Sequence, residues 1–267
     1  MNQVVYNERL LDFLLYSYFG CGSNELAQEG LRQCAYRAYL DLSRKVGFYY
    51  SASELNTMRN KKSSEEDKAI AEEYKKAKVE LIEDICSRIL KPTEDKDAAK
   101  VYNCTDETFD LWHKAKCKEI KDTMNGRKWK DSRSILKESD SFTYGIAQKW
   151  VNMTLKYLGL LGMLPEGLTP KSLHVPIDSF ILEKLQESKI DGIEKDGDTY
   201  KYKTKPWSQL KKYDDYMEIQ NAIRQIAGNT EPIKWESSAW IEIAKNRRDK
   251  KTQKKEAVIS DERRSDL

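Results

Sequence analysis

Apolar residues recur at the three- and four-residue spacing of an α-helix through most of this 267-residue chain. The first apolar stripe ends at Tyr18, and Gly20 and Gly22 follow it as helix-stop signals. Three acidic residues open a later helix at 65–67, where the helix dipole favours negative charge, and Pro92 ends it. The spacing predicts a mostly α protein, with helices over about 10–18, 24–40, 63–91, 106–126, 142–161, 178 onward, 213–226 and 235–245.

Two regions depart from the helical pattern. Asp196-Gly197 lies between Ile193 and the run 199–202, which predicts one small β-hairpin near 193–203. From Asn246 the chain is almost wholly polar, and this composition predicts a polar flexible tail over 246–267.

The composition excludes several classes of protein. Apolar residues make up 39% of the chain and charged residues 34%, and the mean hydropathy is −0.79. No window approaches the ~18 uninterrupted apolar residues of a membrane span, so we expect neither a membrane protein, nor a collagen, nor a largely disordered chain. The opening residues lack a basic segment and a small-residue cleavage site, which predicts a cytoplasmic location.

The cysteines and histidines show no spacing typical of a metal site. The five cysteines are far apart in sequence, and His113 and His174 are the only histidines. Because zinc sites use ligands at short, paired spacings, we expect no bound metal. The spacing leaves a histidine-partnered cysteine nucleophile open, but the favoured interpretation is reduced thiols buried in a cytoplasmic protein.

Positive charge is concentrated in one internal segment, although the net charge of the whole chain is only +3. Residues 114–137 contain nine basic and three acidic side chains, and they include the basic turn 126–130 with Trp129 inside it. Such cations can neutralise phosphates, and an ordinary solvated face is the alternative interpretation. The predicted DNA contacts in this segment are Arg127, Lys128, Lys130 and Arg133.

Two short segments carry the residues best suited to chemistry. Lys149 lies near the start of the apolar helix at 142–161, where the positive helix end disfavours a protonated amine. Asp178 opens the next helix, whose backbone N–H groups favour an ionised carboxylate. The alternatives are that Lys149 is a surface lysine and that Asp178 is simply a helix cap.

These segments resemble the helix-hairpin-helix superfamily of DNA glycosylases. Members have a hairpin ending in Gly-hydrophobic-Gly-x-Lys, and later an apolar-Pro-hydrophobic-Asp segment that opens a helix. Gly145-Ile146-Ala147-Gln148-Lys149 and Val175-Pro176-Ile177-Asp178 are similar to these pieces and occur in the same order, with Ala147 in place of the second glycine. The wide separation of lysine and aspartate looks most like the archaeal 8-oxoguanine glycosylase branch.

The resemblance implies a two-lobed helical fold with the active site in a cleft between the lobes. It implies a helical lobe at 1–104, a central lobe with the site at 105–190, and helices at 191–245 that pack back on the first lobe. Lys149 would be the nucleophile and Asp178 the catalytic carboxylate of a glycosylase with AP-lyase activity. The implied partner is duplex DNA with a flipped base, 8-oxoguanine being the first choice, bound by a monomer without metal or organic cofactor.

The resemblance also implies further contacts with the substrate. Gly145 and Gln148 would contact the DNA backbone. The base pocket would draw on nearby aromatic residues, namely Phe142, Tyr144, Trp150 and Trp207, with Trp240 as a further member of that group.

Two other functions remain open from the sequence. One is a helical nucleic-acid-binding protein without catalysis, with a role in phage–host conflict as one setting. The other is a helical protein-interaction scaffold, for which the basic segment would be incidental. Salt-sensitive DNA binding distinguishes the first from the second.

Overall fold

The computed structural model describes residues 8–91, 106–138, 141–187, 195–196, 199–200 and 206–265. This part of the chain is mostly helical, which confirms the predicted fold class at that level. Single-turn 3-10 helices occupy Ser43–Lys45 and Trp207–Gln209. The α-helices are α1 (Glu8–Phe19), α2 (Leu26–Leu42), α3 (Ala52–Met58), α4 (Glu65–Arg88), α5 (Asp106–Gly126), α6 (Tyr144–Leu160), α7 (Ser179–Glu187), α8 (Tyr213–Ala227) and α9 (Pro232–Ser265).

Side-chain caps fix where several of these helices begin. The Ser64 side chain accepts the Asp67 N–H at the start of α4, and the Thr143 side chain accepts the Ile146 N–H at the start of α6. The short helix α3 was not predicted, although Ser51 and Glu54 form a complete capping box at its start. The Ser-x-x-Glu spacing was the sequence signal that would have found it.

The end of the chain differs from its prediction. Helix α9 continues to Ser265, whereas the sequence predicts a flexible tail from Asn246. The segment is rich in Lys, Arg, Gln and Glu, which are strong helix formers. A polar composition is therefore as compatible with a helix as with a frayed end, and the prediction considered only the second.

The strand prediction falls mainly on residues that the structure does not describe. Two-residue strands, β1 (Lys195–Asp196) and β2 (Thr199–Tyr200), pair antiparallel with Lys195 opposite Tyr200. Residues 191–194, 197–198 and 201–205 lie outside the described residues. The hairpin near 193–203 therefore stays a prediction beyond this short ladder.

Helix α6 is the central element of the core. Most of its residues are buried, because α2 packs on one side of it and α5 on another. Trp150 is fully buried, and its indole N–H donates to the Ala35 carbonyl of α2 at 2.9 Å. One hydrophobic cluster contains residues from all three predicted segments, 1–104, 105–190 and 191–245. The division of the fold into two lobes stays a prediction.

Among the described residues, no helix combines the length and the apolar character that crossing a bilayer requires.

Candidate functional site

The structure places Lys149 and Asp178 side by side. Lys149 Nζ lies 3.2 Å from Asp178 Oδ2, and the two side chains are 10% and 15% exposed. The Lys149 side chain comes from the second turn of α6, so it does not lie on the open surface. Asp178 precedes α7, and its Oδ1 accepts the N–H groups of Phe180 at 2.9 Å and Ile181 at 3.2 Å. Asp178 is thus a helix cap and the partner of Lys149 at once.

An aromatic ring packs against the amine of Lys149. Lys149 Nζ lies 4.8 Å from the centroid of the Trp207 ring, within the range of a cation–π contact. The turn that holds Trp207 is bound to the start of α6, because the Gly145 N–H donates to the Leu210 carbonyl at 3.0 Å. A Cβ at Gly145 would overlap the Trp207 carbonyl oxygen, so only glycine permits this approach.

Lys149 and Asp178 line a cleft of about 440 Å³. Its other walls come from α1, α2 and α9 and from the second half of α6. The side chains that line it include three cations and three carboxylates, so its formal charge is balanced. They are Tyr18, Arg37, Asp41, Lys149, Met153, Lys156, Tyr157, Asp178, Glu236 and Trp240.

The other charges of the cleft are also paired. Arg37 contacts Asp41 at 3.0 Å, and the Tyr157 hydroxyl donates to the same carboxylate at 2.5 Å. Lys156 Nζ lies 2.5 Å from Glu236 Oε2. Burial raises the pKa of Glu236, and the nearby negative charge of Asp178 adds to this effect. The cleft therefore offers hydrogen-bond donors and acceptors without an excess of either charge.

Trp240 supplies a partly exposed aromatic surface to the cleft. It is 39% exposed and stacks on Phe180, with the ring centroids 4.8 Å apart and the planes 19° apart. The guanidinium of Arg247 lies 4.0 Å from the centroid of the Phe180 ring, and Arg247 also pairs with Glu183. This stack holds the Trp240 indole in the same cleft as Asp178, the residue that caps α7.

The predicted aromatic residues fall in different places. Phe142 and Trp150 are buried in the core, 1% and 0% exposed. Tyr144 is half-buried against Tyr213. Of the four residues assigned to the base pocket, Trp207 is the one in contact with Lys149.

The two predicted DNA-backbone contacts on α6 are both buried. Gly145 faces the Trp207 turn, and Gln148 is 0% exposed. The Gln148 amide donates to the carbonyls of Gly145 and Ile177, and its oxygen accepts the Ile177 N–H at 3.2 Å. In this structure Gln148 therefore binds the protein's own backbone.

The four predicted basic contacts lie around the loop after α5. Lys128 and Arg133 are exposed. Arg127 lies 3.8 Å from Glu80, and Lys130 lies 3.4 Å from Glu73, both carboxylates belonging to α4. Their role in DNA binding stays a prediction.

A second polar cluster crosses the core and was not predicted. His174 is 1% exposed, and its Nε2 contacts Asp110 Oδ1 at 2.6 Å, while Arg224 pairs with the same carboxylate at 2.8 Å. His174 Nδ1 lies 2.8 Å from the Tyr216 hydroxyl. Burial alone would raise the pKa of Asp110, but the hydrogen bonds from His174 and Arg224 hold it well below its usual value. The outer end of this cluster opens on a cavity of about 460 Å³ that Asp110 and Arg224 line.

The inner end of that cluster reaches α6. Asn152 Nδ2 donates to the Tyr216 hydroxyl at 2.9 Å, and Asn152 Oδ1 lies 2.9 Å from His113 Nε2. The Tyr213 hydroxyl lies 2.8 Å from His113 Nδ1. Burial lowers the pKa of His113, and the neighbouring His174 lowers it further. We infer that both histidines are neutral, with the proton of each ring on Nε2.

The described cysteines and acidic residues do not form a metal site or an activated thiol. In the described part of the chain, no group of three or more His, Cys, Asp or Glu side chains is placed to hold a metal ion. Cys117 Sγ lies 3.6 Å from His113 Nε2, but burial raises the pKa of this thiol well above its usual value. A neutral, buried thiol is a poor nucleophile.

Comparisons with protein-family models, with curated proteins and with solved structures gave no match.

Proposed function

We propose that this chain is a base-excision DNA glycosylase with AP-lyase activity, in which Lys149 is the nucleophile and Asp178 the catalytic carboxylate. One observation carries the proposal: Lys149 Nζ and Asp178 Oδ2 lie 3.2 Å apart on the wall of one cleft, beside an aromatic surface. The proposal includes a fold of the helix-hairpin-helix glycosylase type and a monomer acting in the cytoplasm on duplex DNA.

The two residues would divide the chemistry between them. Asp178 Oδ2 accepts a proton from Lys149, which leaves the nitrogen a lone pair that forms a bond to C1′ of the flipped nucleotide while the glycosidic C1′–N bond breaks. The base leaves with the electron pair of that bond and takes up the proton from Asp178 Oδ2. Asp178 regains its negative charge in this transfer and stabilises the positive charge that develops on the sugar as the bond breaks.

The covalent product leads to the lyase step. A second proton passes from the Lys149 nitrogen to the ring oxygen O4′ as the C1′–O4′ bond breaks, and the opened sugar is joined to Lys149 as a Schiff base. Removal of a C2′ proton and departure of the 3′ phosphate then break the strand by β-elimination. No metal or cofactor takes part in these steps.

The cleft suits a flat, uncharged base with donors and acceptors on its edge. Because its charges are paired, the cleft has no net charge that would attract a charged ligand. The Trp240 indole lines the cleft, and a base can stack on it. Of the aromatic residues considered from the sequence, Trp240 is the one that lines the cleft. We take 8-oxoguanine as the first base to test.

Borohydride trapping tests the proposal. Duplex oligonucleotides with 8-oxoguanine, uracil or an abasic site are incubated with the protein and sodium borohydride, which reduces a Schiff base to a stable adduct. Lys149→Gln is compared with Lys156→Gln. Lys156 is a matched control, since it lies on the same helix, lines the same cleft and is also paired with a carboxylate.

The expected result is an adduct with the wild type and with Lys156→Gln, and none with Lys149→Gln. The substrate that gives the adduct would identify the base. An adduct that persists in Lys149→Gln, or no adduct on any substrate with the folded wild type, would contradict the proposal.

The second candidate is a nucleic-acid-binding protein without catalysis. The observation that favours it is the exposure of Lys128 and Arg133 in the loop after α5, neither of which is among the residues that line the cleft. In that case duplex binding weakens steeply with salt and depends on these two residues. Lys149→Gln would then bind duplex DNA as the wild type does, and no substrate would be trapped.

A further inference from the structure

The amide of Gln148 joins the two segments that carry the proposed catalytic residues. Its Oε1 accepts the Ile177 N–H at 3.2 Å, and its Nε2 donates to the Ile177 carbonyl at 3.1 Å. The same Nε2 donates to the Gly145 carbonyl at 2.9 Å, within α6. One side chain thus binds both polar groups of a single residue 29 positions along the chain.

The hydrogen bonds between the Gln148 amide and Ile177 form a clamp between the two residues that precede Lys149 and Asp178. Gln148 immediately precedes Lys149, and Ile177 immediately precedes Asp178. From these contacts we infer that Gln148 is a positioning residue that fixes Asp178 against Lys149, an inference that rests on the proposed function. It assigns to Gln148 a role inside the protein in place of the predicted contact with DNA.

The surrounding hydrogen bonds fix which way the Gln148 amide points. Asn152 Nδ2 donates to the Val175 carbonyl at 3.3 Å, and because that carbonyl can only accept, Asn152 Oδ1 is the atom that accepts the His113 Nε2–H. Asn152 must then direct its Nδ2 toward Gln148 Oε1, 3.0 Å away. The Gln148 oxygen is thereby turned toward the Ile177 N–H, and its Nε2 toward the two carbonyls. A buried amide held in this way has one orientation only.

Gln220 of α8 provides a matched control. It is 1% exposed and clamps Val175 in the same manner, its Oε1 accepting the N–H at 3.0 Å and its Nε2 donating to the carbonyl at 2.7 Å. The two glutamines therefore make equivalent bonds to one segment. Only Gln148 does so from the helix of Lys149 and next to Asp178.

The first measurement concerns geometry and needs no DNA. Gln148→Met and Gln220→Met each remove an amide clamp while keeping a side chain of similar volume. Lys149 is labelled by reductive methylation, and its modification rate is followed by mass spectrometry. We expect the rate at Lys149 to rise in Gln148→Met, because the pair with Asp178 loosens, and to stay at the wild-type value in Gln220→Met. Equal rates in the two variants would overturn the inference.

A second variant guards against a failure of Gln148→Met to fold. Gln148→Glu keeps an acceptor for the Ile177 N–H and loses the two donated bonds. We expect Lys149 in this variant to be labelled faster than in the wild type. Labelling of folded Gln148→Glu at the wild-type rate would also overturn the inference.

The second measurement concerns the reaction. Single-turnover trapping by Gln148→Met should fall about a hundredfold, since a displacement of about 1 Å at reacting groups has that effect. The dissociation constant for duplex DNA should not change, and Gln220→Met should react at the wild-type rate. A wild-type rate for Gln148→Met would overturn the inference. If the wild type itself gives no adduct, the proposed function fails, and the labelling rates alone decide whether Gln148 positions Asp178.

Discussion

Two polar clusters contact helix α6 and differ in their exposure to water. The Lys149–Asp178 pair lines an open cleft and consists of full charges. The cluster around His113 and His174 is buried, and its members bind one another as neutral groups, with the Asp110–Arg224 pair at its outer end. Both clusters join α6 to the segment before α7.

The difference suggests a division of labour along a few residues of α6. Buried polar groups are costly unless all their bonds are made, and once made these bonds specify a single arrangement. Charges on a cleft wall keep access to a ligand while a fixed scaffold holds them in place. We therefore expect the buried cluster to determine stability and the cleft pair to determine chemistry.

The largest expected effect is on the cleft pair. Asp178→Asn should lower the trapping rate about a thousandfold, because the negative charge opposite the developing cation is lost. Asparagine still accepts the N–H groups of Phe180 and Ile181, so the cap of α7 remains. The free energy of unfolding should fall by only about 1 kcal/mol. Single-turnover trapping and urea denaturation of the same preparation measure both quantities. If the free energy of unfolding falls enough to explain the lost activity, the cleft pair would determine stability as well as chemistry, and the two clusters would not differ in role.

The next largest effect is on the buried cluster. Asn152→Ala should lower the free energy of unfolding by about 3 kcal/mol, because His113, Tyr216 and the Val175 carbonyl each lose a buried partner. Gln225→Ala is the control at an exposed position of α8, where a change within about 0.5 kcal/mol is expected. Urea midpoints for the two variants give the comparison. Equal stability of the two would show that the cluster is not a structural element.

The buried histidines should make stability depend on pH. Burial is the main cause that lowers the pKa of both His113 and His174 in the folded protein. In the unfolded chain each takes up a proton near pH 6.5. Below that pH the unfolded state binds more protons, so the free energy of unfolding should fall with pH, with an upper limit of about 1.4 kcal/mol per pH unit for each histidine. Above it they add no pH dependence.

Urea denaturation between pH 7.5 and pH 5 checks this sign, since these limits lie about 1 unit above and about 1.5 units below the pKa of a histidine in the unfolded chain. His174→Gln should reduce the slope without abolishing it, because His113 remains. A stability that rises as the pH falls through this window would mean that the folded protein holds a protonated histidine.

The sequence predicted the elements of the fold better than their contacts. Apolar spacing and caps act within a few residues, which is why α1, α6 and α8 were found and why Asp178 was identified as a cap. The length of α9 was missed, because a polar segment can be a solvated helix as well as a tail. Helix α3 was missed because its 7 residues are too few to show an apolar repeat, and the capping box of Ser51 and Glu54 is its main signal.

The candidate site was predictable only where a motif carried it. Lys149 and Asp178 were selected by their resemblance to paired segments of one family, and no local rule predicts their 3.2 Å contact. The role of Gln148 depends on Ile177, which is distant in sequence, so its spacing gave no signal. Phe142 and Trp150 were assigned to the base pocket because they are close to Lys149 in sequence. In the structure both are buried in the core, since residues that are close in sequence can point to different sides of the same element.

The smallest expected effect tests the aromatic side of the cleft. Trp240→Ala should weaken binding of a duplex with an extrahelical base about tenfold, because one base–aromatic stacking contact is lost. The neighbouring Ile241→Ala is the control, since Ile241 is 50% exposed on the same helix. Because Trp240 is itself 39% exposed, its removal should change the unfolding midpoint little. Fluorescence anisotropy with labelled duplexes measures the affinities. Equal binding by both variants would place the base elsewhere, and the contrast between cleft and core would then rest on Lys149 and Asp178 alone.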